Sequence, residues 1–497
     1  MRLPPAVERG VPAGVAAVAA SYAYAGFTRE FVVAPVSRVF VRYTPDALVT
    51  AAITGLGSLA QTLVLAGAVV ATTALFVAVG TAAASVGGRA GSEWIGGRVD
   101  SEWVGVPVGG VLAGVLGATL VGTWEVGVVT GLAVAATLTA FAVPLPFGSA
   151  PGAPRRRVLR AAAGVAASAG VGSLLAAERT YAPESTVRDP VAVDMLAAAD
   201  ERSFALSNAE PLVSRGFYEV DINAIDPRVD RESWTLSVSG TASASYDLDA
   251  LRSFDTEHRF VTLRCVGDPR NGYKMDTALW MGVPVQAILD DAGAPADCCV
   301  VAHGADDYYN EFPQAALEDA LLAFRMNGTA LPRGHGAPVR LLVPGHWGEI
   351  NVKWLTELEL TTEAVEGYWE KRGWHGTGPV NTVAKLHHRE RDGDQVSVGG
   401  HAYAGTRGIS AVEVSTDGGE TWSDARISDP LPGAREADGP QRREFARDAW
   451  RHWHYEFTAS DPREVVVRAI EADGTVQPRE RTDAHPRGAS GWVTQRV

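Results

Sequence analysis

The chain has 497 residues, with 44 Lys and Arg against 58 Asp and Glu, a net charge of −14 and three cysteines. Three cysteines leave a four-cysteine zinc site or an iron–sulfur cluster short of ligands. The acidic balance also excludes the basic face that nucleic-acid binding requires, so no nucleic-acid partner is expected.

The first 180 residues read as an all-α transmembrane bundle. Uncharged apolar runs occupy 10–28, 47–88, 103–124, 126–154 and 161–177, several of them long enough to cross about 30 Å of hydrocarbon at 1.5 Å per residue. About five helices follow, with a partly interfacial stretch at 43–60 and a span at 62–86. Arg2 and Arg9, Arg89 and Arg98, and the group Arg155, Arg156, Arg157 and Arg160 then lie on the cytoplasmic side by the positive-inside rule, against Arg29, Arg38 and Arg42 on the other. This arrangement predicts a multi-pass protein of the cell membrane whose remaining domains are extracytoplasmic. Pro154-Arg-Arg-Arg-Val-Leu-Arg160 resembles a twin-arginine export signal, and an ordinary positive-inside anchor accounts for it equally well. All 11 histidines lie at or after His258, so this part lacks the imidazoles that ligate haem and no haem is expected.

Charge changes sharply beyond the apolar part. Residues 1–177 hold 11 Arg, no Lys and 7 acidic residues, whereas 178–497 hold 33 basic against 51 acidic, with lysine only at 274, 353, 371 and 385. Carboxylate excess with little lysine suits solubility under strong screening and predicts a halophilic, haloarchaeal source.

Residues 181–378 carry the chemistry. Phe260 to Cys265 alternates in strand fashion and runs into Gly267-Asp-Pro, a turn, which puts Cys265 at a strand end beside a loop. Taken alone, Cys265 is a small buried hydrophobe or a single thiolate ligand. Cys298-Cys299 reads as core, because adjacent cysteines bridge only with strained geometry.

Three blocks fall in order: Gly216-Phe-Tyr-Glu-Val220; Thr262-Leu-Arg-Cys265 with Ala278-Leu-Trp-Met-Gly-Val-Pro-Val-Gln-Ala-Ile-Leu289; and Met326-Asn-Gly-Thr-Ala-Leu-Pro-Arg-Gly-His-Gly-Ala-Pro-Val-Arg340 with Leu341–Gly345 and Val352-Lys-Trp-Leu-Thr-Glu-Leu-Glu-Leu360. Together they resemble the sulfite oxidase family of molybdopterin-dependent oxidoreductases in its membrane-anchored prokaryotic form. The resemblance implies an α+β sulfite-oxidase-fold domain and a molybdenum–molybdopterin cofactor, with Cys265 as the metal ligand. It implies pterin and phosphate contacts from Tyr218, Glu219, His335, Arg340, Asn351, Val352 and Lys353. It also implies an anion-contacting Arg270, a pocket Trp280 and an active-site Tyr309, although Asp306-Asp-Tyr-Tyr-Asn-Glu311 offers Tyr308 as well.

The chain departs from sulfite oxidases in two places. Phe204–Pro211 lacks the Arg and His of their entry segment, and Asp268 stands where a neutral or basic residue would help. An acid near the pocket mouth repels a doubly charged anion. The implied reaction is oxygen-atom transfer on sulfite, with reduction of a sulfoxide-type substrate as the alternative and a non-catalytic module that has lost the cofactor as a third reading. The electron partner is a separate molecule.

From 379 to 497 short alternating strands and turns, such as Gln395–Tyr403, Ile409–Ser415 and Glu464–Ile470, read as an immunoglobulin-like β-sandwich. The resemblance makes this a dimerisation domain closed by Pro486–Trp492 and implies a homodimer. Arg407 is either an active-site contribution from this domain or a solvent-facing hairpin arginine.

Overall fold

The computed structural model describes residues 4–45, 48–49, 51–52, 56, 58–93, 105–142, 161–166, 168–169, 173, 189–296, 299–436 and 444–497. The chain divides into two compact units, Met1–Pro183 with Asp221–Arg228, and Glu184–Val220 with Val229–Val497.

The first unit is helical: α1 (Pro5–Ala25), α2 (Val33–Tyr43), α3 (Ser58–Glu93), α4 (Gly105–Val121) and α5 (Trp124–Ala142). Leu59–Val86 of α3 and Trp124–Ala142 are long and apolar enough to cross a membrane, and Gly105–Val121 is a shorter apolar helix. Helix α2 exposes Val39, Phe40 and Tyr43; part of the expected 43–60 stretch lies outside the described residues. Helices α4 and α5 meet through Gly110, Gly114, Gly127 and Gly131; a Cβ on Gly127 or Gly131 would lie 2.7 Å from a carbonyl oxygen of the facing helix. Small residues at this spacing let apolar helices approach at backbone distance. The expected end of the fourth span, the arginine run 155–160 and part of 161–177 lie outside the described residues.

The second unit begins with α6 (Pro190–Arg202), whose first turn is capped by the Asp189 carboxylate accepting from Ala192 N–H at 3.0 Å. Then follow β1 (Thr235–Gly240), β2 (Ala244–Asp247), α7 (Leu248–Arg252), β3 (Glu257–Arg264), β4 (Met275–Pro284), α8 (Val285–Asp291), β5 (Cys299–Gly304), β6 (Tyr309–Pro313), β7 (Leu321–Met326), β8 (Thr329–Ala330), β9 (Arg340–Leu342) and β10 (Leu355–Thr361). They form one sheet of order β2-β1-β10-β5-β6, in which β1 and β10 are parallel, and a second of order β3-β4-β7-β8 with β9 on β7.

The C-terminal part supplies β11 (Val383–Ala384), β12 (His388–Asp392), β13 (Gln395–Tyr403), β14 (Ile409–Ser415), β15 (Ser423–Asp424), β16 (Arg426–Ile427), β17 (Arg435–Glu436), β18 (Arg451–Thr458), β19 (Glu464–Glu471) and β20 (Val493–Arg496). Two antiparallel sheets, β11-β13-β18-β16 and β15-β14-β19-β20, share one core of Val396, Val398, Val412, Val414, Trp453, Val465 and Val467. Strand β17 crosses over to pair with β3.

Strand β3 is buried on nearly every residue rather than on alternate ones. The C-terminal part covers it: Thr262 N–H donates to Asp448 O at 2.9 Å, Trp450 N–H to Thr262 Oγ1 at 3.0 Å, and Tyr403 O–H to Thr262 O at 2.9 Å. A strand covered on both faces loses its polar side.

Asp448 locks this junction, its Oδ1 accepting from Tyr403 O–H at 2.5 Å and Gly345 N–H at 2.9 Å. Burial pushes its carboxyl up to about 8, against lowering by those hydrogen bonds. The unfolded chain loses that proton near the ordinary value of 3.8, so the folded state holds more protons between about 4 and 8. Stability is therefore fullest below the unfolded value and falls as pH rises through 8, by at most about 1.4 kcal/mol per pH unit. Asp448→Asn does not titrate, so its melting temperature relative to wild type should rise between pH 5 and pH 9. A constant difference would refute the assignment.

Candidate active site

Cys265 directly follows β3. Its N–H donates to Lys274 O at 3.0 Å and its carbonyl accepts from Asp268 N–H at 3.0 Å, closing the loop 265–274. Cys265 is a free thiol. Cys299 is buried at the start of β5, as expected of a core residue, but it is disulfide-bonded, which corrects the expectation that it would not bridge; Cys298 lies outside the described residues. Burial pushes the Cys265 thiol up to about 11, only partly opposed by Lys274. Binding a metal as thiolate therefore releases a proton.

Asp268 is not at a pocket mouth. It is 0 % exposed and sits between Lys385 Nζ at 2.5 Å and Arg264 Nε at 3.6 Å, while its Oδ1 accepts from Lys274 N–H at 3.0 Å. Lys385 also donates to Gly272 O at 2.7 Å. Two cations hold this carboxylate inside the protein, so it cannot repel a substrate anion as the sequence reading expected. Arg264 stacks over Trp347 at 4.9 Å and donates to Asn381 O and Ala489 O at 3.0 and 3.2 Å. The loop that carries the thiol is thus pinned to the C-terminal part.

A second group of residues gathers beside it. Arg340 donates to His335 O and Asn351 O, both at 3.1 Å, and lies over the Trp280 ring at 5.1 Å. Lys353 Nζ donates to Gly334 O at 2.7 Å. Burial, then Arg340 and Lys353, lower the His335 imidazole to about 4, so it stays neutral with one ring nitrogen able to donate. Glu219 approaches His335 Nε2 at 3.6 Å. Gly336, at φ +106°, would put a Cβ 3.0 Å from Lys353 Cα, so glycine alone permits this crossing. Asn351 spends its side chain on Val343 N–H at 2.7 Å and Trp347 O at 3.0 Å, and Val352 O accepts from Leu341 N–H at 2.8 Å; both serve through the backbone they fix.

Tyr218 lies beside Phe217, whose ring meets His335 edge-on at 5.4 Å. It stacks on Phe217, its N–H donates to Asp276 at 2.9 Å, and its hydroxyl is held well above the ordinary range by burial first and then by Cys265 and Asp276, with Arg340 opposing.

The structure places the other expected residues as follows. Trp280 is fully buried beneath Arg340, its Nε1 donating to Val261 O at 3.2 Å, so it is core rather than pocket wall. Arg270 donates to Thr482 O at 2.9 Å. Arg407, with its side chain 35 % exposed, pairs with Glu471 at 2.8 Å and donates to Val380 O at 2.8 Å. Tyr309 faces Lys371 and stacks on His303 at 6.1 Å, whereas Tyr308 is buried and donates to Glu349 O at 2.7 Å. Residues adjacent on an extended chain point to opposite faces, and Tyr308 is the inward one.

Sequence reasoning missed Glu349 and Trp374. Burial pushes the Glu349 carboxyl up to about 7, opposed by the Gly376 N–H lying toward it and raised further by Glu370. Neither carboxylate oxygen reaches hydrogen-bond geometry with a partner, nor does Trp374 Nε1, among the described residues. An acid between the matched segments Leu341–Gly345 and Val352–Leu360 was the available signal.

A free thiol at a strand end, glycines that open the backbone, and a guanidinium, an imidazole and an ammonium on adjacent loops form a donor set fitting a thiolate-ligated molybdenum and a phosphate-bearing pterin. Among the described residues no group of three or more His, Cys, Asp and Glu is placed to hold a metal.

An oxidoreductase molybdopterin-binding domain matches residues 223–369, and a Mo-co oxidoreductase dimerisation domain matches residues 379–485. The chain is 29 % identical over 307 residues to the mitochondrial sulfite oxidase of Homo sapiens, covering 51 % of this chain and 54 % of that protein. It is 24 % identical over 368 residues to the NADH nitrate reductase of Solanum lycopersicum, covering 56 % of this chain and 39 % of that protein. The chain thus spans about half the length, or less, of these curated relatives. The solved sulfane dehydrogenase SoxCD of Paracoccus pantotrophus is similar at 22 % identity over 59 % of this chain and 82 % of that chain, with a TM-score of 0.48.

Proposed function

Because the chain belongs to the sulfite oxidase family of molybdopterin oxidoreductases, we propose that it catalyses oxygen-atom transfer at sulfur, with Cys265 as the molybdenum ligand. The observation that carries this reading is a free Cys265 thiol at the end of a strand, with Arg340, His335 and Lys353 gathered on adjacent loops. When bound, the molybdenum cofactor supplies two-electron oxygen-atom chemistry, and the protein supplies binding, orientation and electrostatics.

Arg340 and Lys353 balance the pterin phosphate, and neutral His335 donates to it without adding charge. Tyr308, whose hydroxyl is held well above its ordinary range by burial first and then by Glu349, stays protonated and spends its one proton on Glu349 O at 2.7 Å, fixing the segment that carries Glu349. The leading substrate is sulfite, which with water yields sulfate, two electrons and two protons. Reduction of a sulfoxide-type substrate is the second reading, favoured by the Glu349 carboxyl beside the Cys265 loop.

The reading extends to a homodimer formed through an immunoglobulin-like C-terminal domain and to a separate electron-transfer partner. It also places the helical unit in the cell membrane with the catalytic domain extracytoplasmic. Support for the membrane comes from apolar helices that expose Leu59, Leu63, Val70, Val111 and Val115 at 60 % or more, which lipid would cover.

Full-length protein from a molybdopterin-competent host should carry about one molybdenum and one pterin per chain. It should oxidise sulfite with ferricyanide or reduce methyl phenyl sulfoxide with a reduced viologen dye. Protein without molybdenum or pterin would refute the enzyme reading and leave the cofactor-free binding module.

A further inference from the structure

Between α6 and the segment that carries Tyr218, residues 203–211 lie as a strap against β12, β13 and β18. All of them are half-buried or exposed, so apolar burial does little to hold them. The neck of the strap is closed by Leu212 N–H donating to Ser203 Oγ at 2.9 Å and Trp450 Nε1–H donating to Leu212 O at 2.9 Å. Its middle hangs on three histidines. Phe204 N–H donates to His452 Nδ1 at 2.9 Å and Ser207 N–H to His388 Nδ1 at 3.1 Å, while Glu210 O accepts from His401 Nε2 at 2.8 Å and from His452 Nε2 at 2.9 Å.

The backbone dictates where these rings carry their protons. An amide only donates and a carbonyl only accepts, so His452 is protonated on Nε2 and bare on Nδ1. His388 is fixed likewise: Nδ1 is bare toward Ser207, and Nε2–H donates to Ser397 Oγ at 2.9 Å, whose hydroxyl donates on to His454 Nε2 at 2.7 Å. A second proton on either ring must go to the Nδ1 that holds the strap, where it sets N–H against N–H.

We propose that His388 and His452 form a proton-operated latch: bare at Nδ1 they close the strap 203–211, and their protonation releases it while the sheets beneath stay folded. The strap runs on into Ser214, which accepts from Thr277 N–H at 3.2 Å, and then into Tyr218, so acid frees the chain ahead of that residue. Several charged and titratable groups face the rings. Glu390 of β12 favours charge on His388 and His454 of β18 opposes it; His454 itself lies 4.0 Å from Glu456. His387 and Lys385 oppose charge on His401, as does His452. On the strap the Glu210 carboxylate accepts from Arg215 N–H at 2.8 Å, and Arg426 of β16 lies over the Phe204 ring at 4.6 Å. Burial dominates all three rings, lowering His388, holding His401 well below its ordinary range and lowering His452 to about 4. Opening returns the latch rings to water and to the ordinary imidazole value of 6.5, so the open form binds more protons between about 4 and 6.5. The closed strap is therefore fully held above 6.5 and loosens as pH falls, by up to about tenfold per pH unit for each ring released.

Hydrogen exchange of the full-length protein tests this, read by mass spectrometry on peptides covering 203–210 and Ile409–Ser415 of β14 and corrected for the intrinsic pH dependence of exchange. Protection of the strap should fall at least about tenfold between pH 7 and pH 5, while β14 stays within about twofold. His388→Asn combined with His452→Asn puts an amide oxygen, which accepts but takes up no proton, near each Nδ1 position. The strap should then stay protected at pH 7, and its response to acid should shrink to about threefold or less. Should the double variant fail to fold, the single variants decide, each losing part of the response. A strap that keeps its protection at pH 5, one that loosens only together with β14, or variants that respond as wild type does overturn the latch.

Discussion

Cys265→Ser should lower turnover by more than about 100-fold, beyond the usual cost of losing an outer-shell partner of a metal ligand. A hydroxyl at this position is a far weaker donor to molybdenum than a thiolate, and it does not ionise near neutral pH. The fold should survive, because the loop is held by backbone bonds to Lys274 O and from Asp268 N–H that serine preserves, and by the buried Asp268 ion pairs. The informative combination is pterin content, which depends on the Arg340–His335–Lys353 group, set against the visible thiolate-to-metal absorption, which depends on sulfur. Serine should keep much of the first and lose the second. A variant that turns over as wild type with an unchanged spectrum would remove Cys265 from the metal.

The position of Cys265 was legible because an alternating run meets a turn signal there, which puts the residue at a strand end beside a loop. The structure also gathers Arg340, His335 and Lys353, which one sequence block had offered together. Asp268 was misread because sequence shows a charge but not its counterions: Arg264 is four residues away, but Lys385 comes from 117 residues downstream. Lys385 did leave a trace, being one of four lysines in a chain that otherwise avoids them. Tyr308 and Tyr309 were inseparable because adjacent aromatics give no sign of which face the strand turns inward. Cover of β3 by residues 448–450 was illegible too, since an alternating pattern records only the polar face the strand would have if left open.

The C-terminal part supplies anchors to the loop that carries Cys265. It lends carbonyls of Asn381 and Ala489 to Arg264, Lys385 to Asp268, and Thr482 O to Arg270, so each polar anchor named on the 264–270 segment has a partner beyond residue 380. His485 packs edge-on to Trp374 at 4.9 Å. Geometry at the thiol is therefore set by contacts between two sequence-distant regions, and mutations at either end should be felt at Cys265.

Asp268→Ala should be the most damaging substitution to stability outside the apolar core. It deletes the carboxylate between Arg264 and Lys385, which are 0 % and 1 % exposed, and leaves both cations buried without it. Breaking a buried ion pair from one side costs about 3–5 kcal/mol, a large share of the roughly 5–15 kcal/mol that holds a domain together. Burial already lowers Lys385 to about 8 despite the pull of Asp268, so removing that pull should drive the lysine neutral. Arg264 cannot follow, because a guanidinium does not deprotonate in a protein; it keeps only Trp347 and the two carbonyls. The double variant Asp268→Asn with Lys385→Met removes one charge of each sign and should cost less than Asp268→Ala alone, which chemical denaturation of the full chain would show. If the two single costs simply add in the double variant, the groups do not act as one network, and the loop that carries Cys265 is held by its backbone alone.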